Sequence, residues 1–166
     1  MKLTATKTGK SDKLDNLLCT RADGTHTAVK MPRQGILPHD LIHYVVESTL
    51  GYHHGFLGEV ANGADIAFAM QMSHDLMQTA PSPELTHAEA IVESLQAQLW
   101  SGAFDAAMFD AGVASACAMR NCAPPLTDAG AGKQLYDAVT LLGQRWHALP
   151  FHTALTLDMP FERATT

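Results

Sequence analysis

The chain has 166 residues, of which 46% are apolar and 17% charged, and its formal net charge is −6. This length suits one domain, and the composition is that of a globular protein rather than a disordered one. The eleven lysines and arginines are dispersed and do not cluster beside aromatic residues. The charge pattern therefore argues against a nucleic-acid partner.

The lack of a recognisable leader or membrane span, together with the cysteine usage, predicts a cytoplasmic protein. No apolar run reaches the roughly 18 residues that a membrane span needs, and the N-terminus MKLTATKTGK is typical of a strand rather than of a leader. Cys19, Cys117 and Cys122 are odd in number and form no CxxC motif. We expect them to be reduced packing residues, and we expect no membrane partner.

The first third of the chain predicts a sheet followed by a helix. Residues 2–31 alternate with period two, which predicts three short antiparallel strands, and the Asp-Gly pair in ADGT predicts a tight hairpin. A connector marked by Pro and Gly, MPRQGILP, leads to a helix predicted over 38–50. Pro38 is expected to be its first helical residue and Gly51 its stop.

The next segments predict helices of different kinds. GFLGEVANGAD indicates a short or broken helix. Residues 65–78, DIAFAMQMSHDLMQ, are apolar nearly all round, which predicts a buried central helix with His74 in the core. In SPELTHAEA two helix starts are open, one at Ser82 and one at the capping-box spacing of Thr86 and Glu89; the helix is expected to end near Gly102.

The last part of the chain predicts two more helices and a strand. Residues 103–120 indicate an alanine-rich helix, and a further helix is expected to open at Thr127 and Asp128. Its predicted buried stripe is Leu135, Ala138, Val139, Leu142, Trp146 and Leu149. The alternation in FHTALTLDM predicts a strand beside the N-terminal strands. The sequence thus predicts one α+β domain, residues 1–166, in which a small antiparallel sheet of three N-terminal strands and one C-terminal strand packs against about five helices.

Candidate chemistry lies in PHDLIHYVVE, residues 38–47. On the predicted helix His39, His43 and Glu47 form a stripe along the border of an apolar arc. Residues four apart lie one above the other, so His39 and His43 can offer two imidazole nitrogens to one cation. The helix dipole disfavours imidazolium at His39, in the first turn, and so favours the neutral ring that ligates metal. The pattern predicts a metal site, with zinc as the candidate ion.

The rest of this predicted site is less constrained by spacing. Glu47 lies roughly 12 Å from His39 along the helix, so it is better suited to pair with His43 and fix its ring tautomer. Glu47 and Asp40 are also the candidate acid/base groups. A third ligand has to come from elsewhere, and its candidates are His53, His54 and Glu59.

The motif HDLIH resembles the HExxH helix of zincin metallopeptidases, and the order of sheet, active helix and helical region is similar to theirs. The resemblance implies that His39 and His43 are zinc ligands, that Asp40 stands where the family has its catalytic glutamate, and that a third ligand follows downstream. It covers five residues of 166, and aspartate is one methylene shorter than glutamate. The longer pattern LPHDLxHxxVE resembles a motif of small uncharacterised bacterial proteins, which supplies a family without supplying an activity.

Two functions of different class stay open. The first is a metal-binding, hydrolytic protein that uses His39 and His43, with Asp40 or Glu47 as acid/base. The second is a non-catalytic binding or structural module, in one version a homo-oligomer, in which the same side chains form the solvated border of a helix. Metal content separates the two functions.

Overall fold

The computed structural model describes residues 1–74 and 82–160, and the side chains of all of these except 72–74. Within these ranges it shows the predicted α+β class, with a four-stranded antiparallel sheet and six helices. The elements in chain order are β1 (Lys2–Thr6), β2 (Leu14–Thr20), β3 (His26–Pro32), α1 (His39–Leu50), α2 (Phe56–Ala61), α3 (Ile66–His74), α4 (Pro83–Ser101), α5 (Ala106–Met119), α6 (Ala131–Ala148) and β4 (Ala154–Asp158).

The sheet has the strand order β3-β2-β1-β4, and every neighbouring pair is antiparallel. On the central strand β1, Leu3 lies opposite Cys19 of β2 and Leu157 of β4, and all three side chains are buried. The two ends of the described chain therefore meet in the sheet, as the alternation of the last segment predicted. Gly24 in the predicted hairpin adopts φ 82°, which glycine allows without strain.

Helix α1 positions the candidate site against the core. Pro38 is its N-cap, with extended backbone, rather than its first helical residue as predicted. The helix ends where Gly51 adopts the left-handed conformation and donates its amide to the carbonyl of Glu47. Leu41 and Ile42 are fully buried, so one face of α1 is fixed in the core and the stripe beside it is held at a constant angle.

Helix α4 begins at the first of its two predicted starts. The Ser82 hydroxyl accepts a hydrogen bond from the Leu85 amide at 3.1 Å, and Pro83 occupies the first turn. The alternative capping box of Thr86 and Glu89 is wrong, because both residues lie inside α4 and are buried. The carboxylate of Glu89 is therefore available for contacts with α1 instead of with its own helix terminus.

The prediction of a buried central helix over 65–78 is wrong for the part that the structure describes. Helix α3 buries Ile66 and Ala69, but Phe68 is 58% exposed. This helix packs against α2 and β3 on one side, so an apolar sequence here does not mean an enclosed helix. Residues 75–78 and the side chain of His74 lie outside the description, and the core role of His74 stays a prediction.

The last helix starts slightly later than predicted and buries four of the six residues of the predicted stripe, while Ala138 and Leu149 are partly buried. Its N-cap is Gly130 rather than Thr127 or Asp128, and Leu135, Val139, Leu142 and Trp146 are buried. All three cysteines are free thiols, as expected from their number and spacing. Among the described helices, none combines the length and the apolar character needed to cross a bilayer.

Candidate metal centre

Three side chains from two helices converge at the N-terminal half of α1. His39 and His43 come from α1 and Glu89 from α4. Nε2 of His43 lies 3.2 Å from Nε2 of His39 and 3.3 Å from Oε1 of Glu89, and Nε2 of His39 lies 3.9 Å from Oε2 of Glu89. Within the described ranges, this triad is the group of His, Cys, Asp and Glu side chains close enough to share a metal ion.

The spacing of these atoms fits a four-coordinate ion. Zinc binds imidazole nitrogen and carboxylate oxygen at about 2.0–2.1 Å, so ligand atoms at two corners of a tetrahedron lie about 3.3–3.4 Å apart. Nε2 of His43 lies 3.2 Å from Nε2 of His39 and 3.3 Å from Oε1 of Glu89, close to this value, whereas Nε2 of His39 approaches the other oxygen, Oε2 of Glu89, at 3.9 Å. One ligand atom from each side chain lies within 4.8 Å of the others, so one ion can contact all three after the Glu89 carboxylate and the His39 ring adjust.

Glu47 holds the ring of His43 from behind. Its Oε1 lies 2.9 Å from Nδ1 of His43, and the carboxylate also accepts the amides of Leu57 at 3.2 Å and Gly58 at 3.0 Å. A Cβ on Gly55 would come within 2.5 Å of Glu47, so glycine is required where α2 approaches this carboxylate. With Nδ1–H donated to Glu47, Nε2 of His43 is the nitrogen that faces the triad.

Gln96 holds the ring of His39 in a similar way. Oε1 of Gln96 lies 3.3 Å from Nδ1 of His39, and its amide nitrogen donates to Gln34 at 3.0 Å. When both rings donate from Nδ1, both Nε2 lone pairs point at the same small volume. Two such nitrogens at 3.2 Å repel unless a cation, either a proton or a metal ion, lies between them.

The electrostatics of the triad favour a cation. Complete burial acts to lower the pKa of His43, but the carboxylates of Glu89 and Glu47 outweigh it and raise this pKa to about 10. Without a metal, the two carboxylates therefore favour the imidazolium form of His43. A metal ion that binds Nε2 has to displace this proton.

Asp40 adds a buried carboxylate to the same region. Its Oδ1 has no hydrogen-bond partner among the described residues. Burial raises the pKa of Asp40 to about 6, and the charge of Glu89 acts in the same direction, while that of His43 opposes it. A buried carboxylate oxygen without a donor is uncommon in folded proteins and marks a place where a proton, a water or a cation is expected.

The triad opens on a cavity of about 400 Å³. Its walls come from β3, the β3–α1 connection, α1, α2, α3, α4 and the end of α5. The lining residues are Pro32, Gln34, His39, Asp40, His43, Phe56, Met70, Glu89, Glu93, Gln96 and Arg120. Since all three triad residues and Asp40 line it, a fourth coordination position on a bound ion would face this cavity.

The structure brings together only part of the residue set proposed from the sequence. His39, His43 and Asp40 line the cavity, whereas Glu47 lies behind His43 and does not. Of the three candidate third ligands none belongs to the triad: His53 is exposed, and His54 pairs with Glu59 at 3.0 Å on the surface. The turn after Gly51 leads into α2, whose first amides bind Glu47, and so does not fold back onto the histidines.

Three polar residues of α4 were missed by the sequence reasoning. Glu89 and Gln96 contact the two histidines, and Glu93 lies on the same side of the helix and lines the cavity. Positions i, i+4 and i+7 share one face of a helix. The sequence contains this polar stripe beside the apolar residues of α4, but Glu89 was a candidate only for the capping box and not for the metal site.

Comparisons with protein-family models, with curated proteins and with solved structures found no match to the chain. Two imidazole nitrogens and one carboxylate, each oriented by a neighbouring element and open to a cavity, form a donor set for one divalent metal ion.

Proposed function

We propose that this protein binds one divalent metal ion, zinc in the first place, through His39, His43 and Glu89 and uses it for hydrolysis. The triad geometry carries the proposal. Structural zinc sites are closed by four protein ligands, whereas catalytic ones use three, His2Glu among them, and leave a position for water. The cavity above the triad supplies room for that position.

The spacing favours zinc over an octahedral ion. An octahedral site with bonds of about 2.1 Å places neighbouring ligand atoms about 3.0 Å apart, closer than in a tetrahedral site. The two separations that share Nε2 of His43 are 3.2 and 3.3 Å, nearer the tetrahedral spacing than the octahedral one. The separation of 3.9 Å goes to the other oxygen of Glu89 and does not distinguish the two geometries. We therefore name zinc before iron(II) as the proposed ion.

Asp40 supports the hydrolytic part of the proposal. Zinc lowers the pKa of a coordinated water to about 7, so the site needs a neighbouring acceptor for the proton. Asp40 adjoins His39 in sequence, lines the same cavity and has an oxygen without a donor among the described residues. Its carboxylate is available to orient the water and to take its proton.

One observation favours the second function, a non-catalytic structural module. His43 is fully buried with a carboxylate at each ring nitrogen, Glu47 at 2.9 Å and Glu89 at 3.3 Å. An imidazolium in this position would join α1 to α4 and to the start of α2 without any metal. The two functions differ in whether a proton or a metal ion occupies Nε2.

Metal content decides between them. Tag-free wild type, H39A/H43A and E89Q are incubated with zinc, dialysed and measured by elemental analysis, with H54A as the control for an exposed histidine. We expect about one zinc per chain in wild type and H54A, and a loss of zinc from the other two. Wild type without zinc at neutral pH, with all variants folded, would leave the structural module as the function.

Hydrolysis is tested separately with an activated ester, p-nitrophenyl acetate. Zinc-loaded wild type is expected to turn over faster than H39A/H43A. D40N is expected to retain zinc and to lose about a hundredfold in rate, the effect typical of a removed general base. Equal rates in wild type and H39A/H43A would leave a metal-binding protein that does not catalyse hydrolysis of this ester class.

A further inference from the structure

The cavity contains an arginine that metal binding does not explain. Of the described residues that line it, Arg120 alone carries a permanent positive charge. The acidic lining residues are Asp40, Glu89 and Glu93. Asp40 and Glu89 have roles at the proposed metal, which leaves Arg120 and Glu93 as a pair whose function is open.

Arg120 is held in place by two kinds of contact. At the end of α5, its Nη1 donates to the carbonyl of Ala116 at 3.1 Å. Nη2 and Nη1 also donate to the two oxygens of Glu93, at 2.5 and 3.2 Å. The carbonyl contact does not depend on Glu93, so it would keep the guanidinium beside the cavity if Glu93 moved away.

Glu93 is the partner that can leave. Its side chain is 43% exposed, whereas that of Arg120 is 16% exposed. Ion pairs with one partner in solvent contribute little free energy, because water replaces the lost contact. A ligand carboxylate can therefore take the place of Glu93 at low cost, and Glu93 itself shows that a carboxylate fits the guanidinium.

The spacing of Glu93 and Glu89 along α4 gives the scale of such a ligand. Glu93, the partner of Arg120, follows Glu89 by one turn of α4, which corresponds to about 6 Å along the axis. A ligand that reaches both the metal position and Arg120 needs two functional groups separated by a few bonds. The cavity of about 400 Å³ is of the size that takes small molecules.

From these observations, and resting on the proposed metal site, we propose that the substrate is a small molecule with a carboxylate group. The carboxylate replaces Glu93 on Arg120, and the reacting group lies at the metal position. A divalent ion with one carboxylate and two neutral imidazoles carries one net positive charge, which the ionised Asp40 on the cavity wall balances, so the guanidinium of Arg120 is the positive charge that attracts an anionic ligand. The planar guanidinium adds a preference for the two-oxygen geometry of carboxylate.

Two small thiols test the proposal on the zinc-loaded full-length chain. In 3-mercaptopropionate and in 3-mercaptopropanamide the sulfur can bind zinc, but only the first compound carries a carboxylate. Titration calorimetry gives the affinity ratio of acid to amide for each variant. Because the ratio in R120Q corrects for intrinsic differences between the probes, the readout is the ratio of wild type relative to that of R120Q.

We expect the ratio to be about tenfold higher in wild type than in R120Q, as for one charge-assisted contact. E93Q should raise it further, because the competing carboxylate is gone. R145Q changes an exposed arginine on α6 and should leave the wild-type ratio unchanged.

Equal ratios in wild type and R120Q, with both thiols bound and zinc retained, would overturn the carboxylate proposal alone. Failure to retain zinc in wild type would overturn the metal site and this inference with it.

Discussion

Asp15 and His43 are both buried ionisable side chains, but their surroundings differ. Asp15 accepts hydrogen bonds from the guanidinium of Arg33 and from the amide and hydroxyl of Thr8. Burial acts to raise the pKa of Asp15, yet these donors outweigh it and hold this pKa below its usual value. In the Asp15 cluster the negative charge of Asp15 is balanced by the positive charge of Arg33.

His43 is surrounded by more negative charge than it can balance. Its ring contacts Glu47 and Glu89, and Asp40 adds a carboxylate oxygen without a donor among the described residues. Both clusters border a cavity, of about 400 Å³ beside His43 and about 210 Å³ beside Asp15, so the balance of charge is what distinguishes them. A balanced buried charge holds a fold together, whereas an unbalanced one marks a place where something binds.

The largest effect on stability is expected from the balanced cluster. D15N leaves the buried contacts of Arg33 without their charge, and we expect it to lower the free energy of unfolding by about 3 kcal/mol. The expected loss is no larger than this because the Arg33 side chain is 25% exposed and can regain contacts with water. Urea denaturation of metal-free protein at pH 7 measures the change. D137N, in the exposed pair of Lys133 and Asp137, serves as the control and should change stability by less than about 0.5 kcal/mol.

The loss of stability caused by D15N should depend on pH in a defined direction. Because the folded pKa of Asp15 is lowered, the stability it contributes is present above its unfolded value of 3.8 and is lost as the pH falls through the folded pKa. The difference between wild type and D15N should therefore shrink on acidification below pH 3.8. A difference that stays constant down to complete protonation would show that packing, not charge, makes Asp15 important.

D40N should change stability in the opposite direction, by stabilising the metal-free protein. The folded pKa of Asp40 is raised from 3.8 to about 6, so its ionisation destabilises the metal-free fold as the pH rises through this window. A shift of this size corresponds to about 3 kcal/mol at most. We expect D40N to stabilise the metal-free protein by about 2 kcal/mol at pH 8, since the new amide also lacks a partner. Thermal unfolding at pH 8 and at pH 3.5, where the gain should vanish, tests this expectation.

Local periodicity predicted the side chains that α1 contributes to the site, but not the one that α4 contributes. Histidines four apart followed by Glu47 form a helical stripe whatever the rest of the fold, so the His43–Glu47 contact could be predicted. The third side chain, Glu89, depends on where α4 packs against α1, and no local pattern encodes that distance. The sequence contains two start signals for α4. Because the helix begins after Ser82 rather than at Thr86, Glu89 lies inside the helix.

Among variants of the site, E47Q should weaken zinc binding without removing a ligand. Glutamine offers one acceptor oxygen where Glu47 serves His43 and the amides of Leu57 and Gly58. Changes to groups that orient a metal-binding histidine typically reduce metal affinity by about 10- to 100-fold, and we expect about tenfold here. Competition with a chromophoric chelator measures the affinity on folded protein. An unchanged affinity would mean that the tautomer of His43 is set by something other than Glu47.

The smallest effect is expected at the second pair of histidine and glutamate. His54 and Glu59 lie 3.0 Å apart, nearly the same as the 2.9 Å between His43 and Glu47, but their side chains are 60% and 39% exposed. Solvent screens this pair, so H54A and E59Q should each change stability by less than about 0.5 kcal/mol and leave zinc content unchanged. Loss of zinc in either variant, with zinc retained in E89Q, would place the third ligand in the turn after α1 (His54) or on α2 (Glu59) instead of on α4. Equal contact distances with unequal effects would show that burial beside a cavity, rather than the pairing of histidine with glutamate, makes the metal centre.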